Sequence, residues 1–432
     1  MTAAPGPART RRPLVGYLAA QAVSLTGTRL SMIAVPWFVL TTTGSATRTG
    51  LAAFCEMAPL VTLQAMSGPL VDRLGARRVA VVCDVLSVVA VGAVPVLHAR
   101  GVLTFPVLLV LVGLAGALRG PGEVAKHALV PVVVDHAVVP TERVTGLAGA
   151  VERTATLAGA AAAGGLVAGV GAANALAVDA ASFLVSAVLL ARSVPPQTVR
   201  LAAAHPPAGV RGGVAAYAGE LRDGWTFLRG DRLLLGIGVM VACSNLLDAA
   251  FAGVLLPVWA RDTGAGVAVV GLFSAVFGGA SIVGAVTAAR VGERLRRLPV
   301  YVVGFLVGGV PRFVAMALDA PVATLLALAV VGGIGSGFLN PILGAVLFER
   351  TPEGLVGRVS ATNLAMCWSL IPFGGLLGGA AVGGLGISGA LLVVGAAYLV
   401  VALAPALHPM WRELDRRPER TAAGSAASGG PA

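Results

Sequence analysis

Apolar runs of roughly 20 residues recur along nearly the whole of this 432-residue chain, and a helix needs about 20 residues to cross a bilayer. Twelve can be drawn, at about 14–40, 47–70, 79–97, 102–125, 144–169, 173–191, 233–257, 267–289, 299–318, 321–347, 358–382 and 388–407. With 57% hydrophobic and 12% charged residues and a mean hydropathy of +0.88, the chain carries more apolar surface than a soluble protein of its size can hide. Its 58 glycines are scattered inside the runs, where small residues let helix backbones approach closely in lipid. The chain reads as a polytopic α-helical membrane protein.

A net charge of +11 raises the question of nucleic acid, and the distribution answers it. With the N-terminus inside, only Arg48, Arg100 and Arg261 of the 31 basic residues fall outside, and Arg29, Arg119, Arg153 and Arg312 fall within spans. The rest, Lys126 included, fall in cytoplasmic segments. That is the positive-inside pattern, which sets both termini in the cytoplasm and implies no nucleic-acid partner. Met1–Pro13 leads into a long apolar run and reads as the start of a first membrane helix, not a cleaved signal.

Residues 1–191 form one six-span half and 233–410 the other, joined by a cytoplasmic linker over 192–232. Pro195–Pro207 reads as linker proper. Leu221, Trp225 and Leu228 make a helical stripe that lies on the inner leaflet or begins span seven. Residues 411–432 form a largely disordered cytoplasmic tail, rich in Ala, Gly and Ser from about Arg420. The halves repeat. A shift of 215 residues carries Arg143-Val-Thr onto Arg358-Val-Ser, and Gly159, Gly164, Gly169 and Gly171 onto Gly374, Gly379, Gly384 and Gly386. Parallel halves of this kind are a transporter architecture.

The gap between spans two and three holds Gly68-Pro-Leu-Val-Asp72-Arg73-Leu-Gly75-Ala-Arg77-Arg78. This resembles the cytoplasmic loop 2–3 signature of the major facilitator superfamily, and with the repeat it extends the resemblance over nearly the whole chain. The resemblance implies an all-α fold of 12 transmembrane helices in two pseudo-symmetric six-helix bundles around a midplane cavity. It also implies a conformational latch in which Asp72 caps a neighbouring helix, pairs with Arg77 or Arg78, and holds the outward-facing state. Asp84 is expected to bond back to those arginines. Pro36-Trp37, Thr43-Gly-Ser, Glu56 before Pro59, and Asp179-Ala-Ala-Ser-Phe resemble the macrolide-efflux and enterobactin-exporter branch. Where drug:proton antiporters carry a proline-containing element in span five, this chain has Ala160-Ala-Ala-Ala-Gly164-Gly165 and no proline.

Ionisable groups at mid-bilayer are costly unless paired or wetted, so those within the spans are candidate functional residues. Arg29 and Glu56 lie about 16 and 14 Å from the outer ends of spans one and two. They are expected to pair as the proton-coupling element or as a static salt bridge. Arg119, in a Gly-Pro-Gly-kinked span four, either communicates with the proton site, as the resemblance suggests, or snorkels to the interface. Asp248, a further proton-coupling candidate, and Arg312 are expected to neutralise each other. Gln21, Trp37, Asn245, Arg312, Asn340 and Trp368 are candidates for the substrate cavity.

No Walker loop, metal-ligand spacing or nucleophile elbow is present, and Cys55, Cys83, Cys243 and Cys367 stand apart inside spans. The expectation is a monomeric, non-enzymatic transporter without cofactor or metal, in a bacterial cytoplasmic membrane. It takes protons as coupling ion and a hydrophobic or amphipathic small molecule as substrate. A siderophore or metabolite exporter, a nutrient importer, a lipid scramblase and a membrane receptor are the alternatives.

Overall fold

In the computed structural model, which describes residues 11–137, 139–195 and 213–416, the apolar runs become helices joined by turns too short to hold a separate domain. The N-terminal half comprises α1 (Arg12–Thr43), α2 (Ala46–Met66), α3 (Gly68–Leu74), α4 (Ala76–Ala99), α5 (Phe105–Ala128), α6 (Val130–Ala137), α7 (Thr141–Val170) and α8 (Ala172–Ser193). After α9 (Gly213–Gly230) come α10 (Arg232–Asp262), α11 (Val267–Val291), α12 (Arg297–Ala317) and α13 (Val322–Arg350). The last two are α14 (Val356–Trp368) and α15 (Ile371–Leu407).

Among the described residues, nine helical segments are long and apolar enough to cross a membrane. The last, Val356–Leu407, is two spans, because α15 breaks at Gly386. The less apolar α2 and α7, each carrying ionisable residues, make up the remaining two of the twelve.

The repeat seen in the sequence has a structural meaning, pair by pair. Gly171 (φ 83°) and Gly386 (φ 70°) both take the left-handed backbone that turns one span into the next, a conformation a side chain would strain. Gly159 fits α7 against Thr26 and Arg29 of α1, and Gly374 fits α15 against Leu246 and Ala250 of α10. Gly164 brings α7 against Ala268 and Gly271 of α11, while Gly379 brings α15 against Ala46 and Thr47 of α2. Gly159 and Gly374 thus pack each bundle internally, and Gly164 and Gly379 close each bundle on the other.

Those closing contacts all lie toward one end of the molecule, where the α1–α2 and α7–α8 turns sit. The hydrogen bonds between bundles among the described residues are there too, from Thr47 Oγ1 to the Gly379 carbonyl (3.3 Å) and from Arg261 Nη1 to the Gly44 carbonyl (3.2 Å). A small apolar cluster of Leu40, Ala46, Val254 and Val258 seals that end. Toward the other end, beyond the contact of Gly278 with Leu157, Gly146 and Gly149 of α7 face open space and Thr145, Gly146 and Leu147 are exposed. The bundles form a V, closed at one end.

α9 is a helix in its own right and not the start of span seven, because Asp231 caps the N-terminus of α10 through the amides of Leu233 and Leu234. It docks on α14: Leu228 is buried, Gly224 sits against the Arg358 backbone, and Asp223 pairs with Arg358 at 3.1 Å. Trp225 remains half in the open, with the Arg229 guanidinium over its ring. Most of Pro195–Pro207 and the tail beyond residue 416 lie outside the described residues.

Candidate functional site

The N-terminal bundle holds a polar interior, and small residues create it. Along α5, Gly113, Gly116 and Gly120 lie on one face and let that helix touch the backbone of α2 at Cys55, Glu56 and Leu60. This close seam carries the Glu56 carboxylate to α5, where Arg119 Nη1 meets Oε1 at 2.7 Å with both side chains almost fully buried. The expected Arg29–Glu56 pair is therefore not formed. Similar depth on successive helices said nothing of direction: Glu56 turns to α5, while Arg29 lies beside Gly159 of α7 with Nη1 near Met32 Sδ (3.4 Å). Arg119 does not snorkel either, being 5% exposed.

A second buried pair was misread in the sequence. Lys126, sorted there with cytoplasmic loop residues, lies inside α5, where its Nζ donates to Asp84 Oδ1 (2.8 Å) and to Ser24 Oγ (2.7 Å). Ser186 Oγ donates to the other carboxylate oxygen of Asp84 (2.6 Å). Four helices, α1, α4, α5 and α8, meet in this network. Asp84 thus does not bond back to the loop arginines; it points inward, to an ammonium that neutralises it in a low-dielectric site. The signal available in the sequence was that Lys126 is the only lysine in an otherwise arginine-only set.

Asp179 on α8 is the third buried acid, accepting hydrogen bonds from Ser31 on α1 and from Ser182 Oγ (3.3 Å) one turn along its own helix. Two small cavities run through this interior, and Arg119 lines both. One is polar, bordered by Gln21, Ser24, Asp84, Glu123 and Lys126; the other is largely apolar, bordered by Ser31, Glu56, Val94 and Leu176. Each has room for little more than a water molecule.

The loop 2–3 residues form the seven-residue, about two-turn α3, followed by Gly75 at φ 84°. Asp72 is exposed and, among the described residues, forms no ion pair with Arg77 or Arg78 as expected. Arg77 instead donates to the carbonyl of Ala191 at the end of α8, which draws it away from Asp72.

In the C-terminal bundle, Asp248 and Arg312 do meet. The Arg312 guanidinium lies 4.2 Å from the ring centre of Phe251, 5.1 Å from Phe313, 5.6 Å from Tyr398 and 5.9 Å from Phe277. A one-turn π-bulge at Phe251–Leu255 of α10 sets Phe251 against it. The arginine is buried, whereas 43% of the Asp248 side chain is exposed.

Two of the cavity candidates are kept apart. Gln21 and Arg312 are buried inside opposite bundles, a consequence of helix faces that point inward within each half. Asn245 Nδ2 donates to the Cys367 carbonyl (2.9 Å), tying α10 to α14. Trp37 and Trp368 are half-buried, and Asn340 is exposed.

The sequence pattern of the Major Facilitator Superfamily matches residues 17–246 and 238–431, one match for each bundle. The chain belongs to that superfamily.

This facilitator is 28% identical over 412 residues to the multidrug efflux pump Tap of Mycobacterium tuberculosis, covering 95% of this chain and 96% of that one. It is 27% identical to the multidrug efflux pump Tap of Mycolicibacterium fortuitum, covering 94% and 98%. Among solved structures it is similar in fold to the nucleoside transporter NupG, with TM-score 0.68, 14% identity and coverage of 91% and 98%. It is also similar to the inward open conformation of the xylose transporter XylE from E. coli, with TM-score 0.66, 14% identity and coverage of 94% and 97%. Likenesses at that identity carry the twelve-helix, two-bundle fold and nothing of the substrate.

Proposed function

We propose that this facilitator exports hydrophobic or amphipathic small molecules, antibiotics among them, and that inward proton flow drives it. The observation that carries this reading is the 28% identity to multidrug efflux pumps over 95% of the chain. The buried Glu56–Arg119 pair supports proton drive, since ionisable groups kept inside a membrane bundle often mark ion pathways and proton relays. With both termini in the cytoplasm of a bacterial cell, as the arginine distribution implies, the closed end of the V faces outward. The V then opens to the cytoplasm, the state in which an exporter takes up its substrate. The unpaired Asp72 belongs to that state, its latch with the loop arginines re-forming when the bundles rock outward. The chain works as a monomer in the bilayer, with no catalytic chemistry and no cofactor.

Drug tolerance in an efflux-deficient host tests the reading. Cells expressing the wild type are expected to tolerate several amphipathic drugs, and cells expressing Glu56→Gln or Asp72→Asn at equal level are expected to lose that tolerance. Equal tolerance in all three strains and in a vector control removes the proposal.

A further inference from the structure

Two of the three buried acids of the N-terminal bundle face a cation, Glu56 with Arg119 and Asp84 with Lys126. Asp179 does not. It is 0% exposed, and among the described residues only the hydroxyls of Ser31 and Ser182 bond to its carboxyl group. The space around it is shaped for it, because a side chain on Gly27 of α1 would strike both Asp179 Oδ1 and Ser182 Oγ. The charges that reach it are Arg119 from α5 and Glu56 from α2. α4 meets α8 nearby through Gly92 and Ala180, and its own acid Asp84 is occupied by Lys126.

One guanidinium therefore serves both of these buried carboxyl groups, while the less buried Glu123 approaches it from the polar cavity. Ionised together with Glu56, Asp179 would leave a net negative charge about 10 Å inside α8, at a cost of several kcal/mol. The trio is neutral only when one proton is shared between the two acids. Glu56 already holds Arg119 at 2.7 Å, so the proton falls to Asp179.

We propose that Asp179 is the proton-binding residue of this transporter, a reading that rests on proton-driven efflux as its purpose. While Asp179 is protonated, Arg119 stays with Glu56. Loss of the proton leaves a second anion that draws Arg119 from α2 toward α8. α2 is also the helix whose Gly50 abuts Gly375 at the closed end, so the proton acts on a helix of the inter-bundle seam. Ser31 and Leu176 border the apolar cavity beside Asp179, and Arg119 stands between that cavity and the polar one, giving a proton a stepwise route through the bundle.

Infrared spectra of the purified protein at mildly acidic pH, where exposed carboxylates remain ionised, test this directly. The wild type is expected to show a protonated-carboxyl band that Asp179→Asn removes, and that Glu56→Gln removes as well, because Asp179 must then ionise to neutralise Arg119. A band that persists in Asp179→Asn, or its absence from the wild type, overturns the assignment. Should Asp179→Asn fail to fold, Ser31→Ala decides: the band is expected to move to higher frequency without the hydroxyl, and an unmoved band overturns the proposal. Ethidium efflux from proteoliposomes under a proton gradient keeps the two readings apart. If the wild type moves no ethidium against a gradient, the efflux reading loses support while the spectrum still judges Asp179. If the wild type does, Asp179→Asn is expected to bind the dye yet expel it at least tenfold more slowly, and an undiminished rate overturns the assignment.

Discussion

Arg119 reaches Glu56 across the α2–α5 seam at 2.7 Å, with side chains 4% and 5% exposed. Removing one member of such a pair strands the other charge without water, which typically costs 3–5 kcal/mol. Arg119→Ala is expected to lower the midpoint of thermal unfolding in detergent sharply and to remove drug tolerance. The double variant Glu56→Gln with Arg119→Gln is expected to regain most of the stability but none of the transport. A double variant as unstable as Arg119→Ala would show that packing of the arginine stem, not its charge, is what the seam needs.

The two bundles touch where Gly379 lies against the Ala46 carbonyl, 2.8 Å from where its Cβ would stand. Gly379→Val puts a branched side chain into that seam and leaves each bundle's own core untouched. The variant is expected to insert and remain monodisperse, yet fail to close at that end. A cysteine in place of Thr47 should then react with an impermeant thiol reagent from outside whole cells at least several-fold faster than in the Gly379 background. Equal labelling in both would mean the seam is not what closes the transporter.

Much of this arrangement was legible in the residues. Span count, the repeat and the loop 2–3 signature follow from runs, spacings and glycines, which are local in sequence. The partner of Glu56 was not legible, because depth along a helix is fixed by rise per residue while direction depends on which neighbour packs closest. Gly113, Gly116 and Gly120 set that direction, and they become informative only once α2 is known to lie against α5. Lys126 was lost for a related reason: α5 continues to Ala128, beyond the apolar run, so a residue counted as loop lies in the last turn of α5 and is buried in the bundle. Asp248 with Arg312 was found because the C-terminal half buries so few other charges.

Lys126 is expected to behave as a structural ion. Its ammonium neutralises Asp84 at 2.8 Å and also holds Ser24. Lys126→Met should destabilise the N-terminal bundle by about 3–5 kcal/mol, measured as a lower unfolding midpoint, since Asp84 is then buried unpaired. Adding Asp84→Asn should restore most of that loss, and Asp84→Asn alone should be nearly as harmful as Lys126→Met. If Lys126→Met is as stable as the wild type, water rather than lysine compensates Asp84.

Arg312 joins charge and ring contacts in one place, with Phe251, Phe277, Phe313 and Tyr398 around a guanidinium that also reaches Asp248. A lysine keeps the charge but not the planar face that stacks on these rings. Arg312→Lys is therefore expected to cost about 1–2 kcal/mol, near the value of one or two desolvated cation–π contacts. Arg312→Ala should cost more, because it adds loss of the ion pair and of buried volume, although partial exposure of Asp248 lets water soften the unpaired charge. Unfolding midpoints should rank wild type above Arg312→Lys above Arg312→Ala. If lysine matches arginine, the ion pair alone secures α12 to α10, and the aromatic ring contacts are packing without electrostatic consequence.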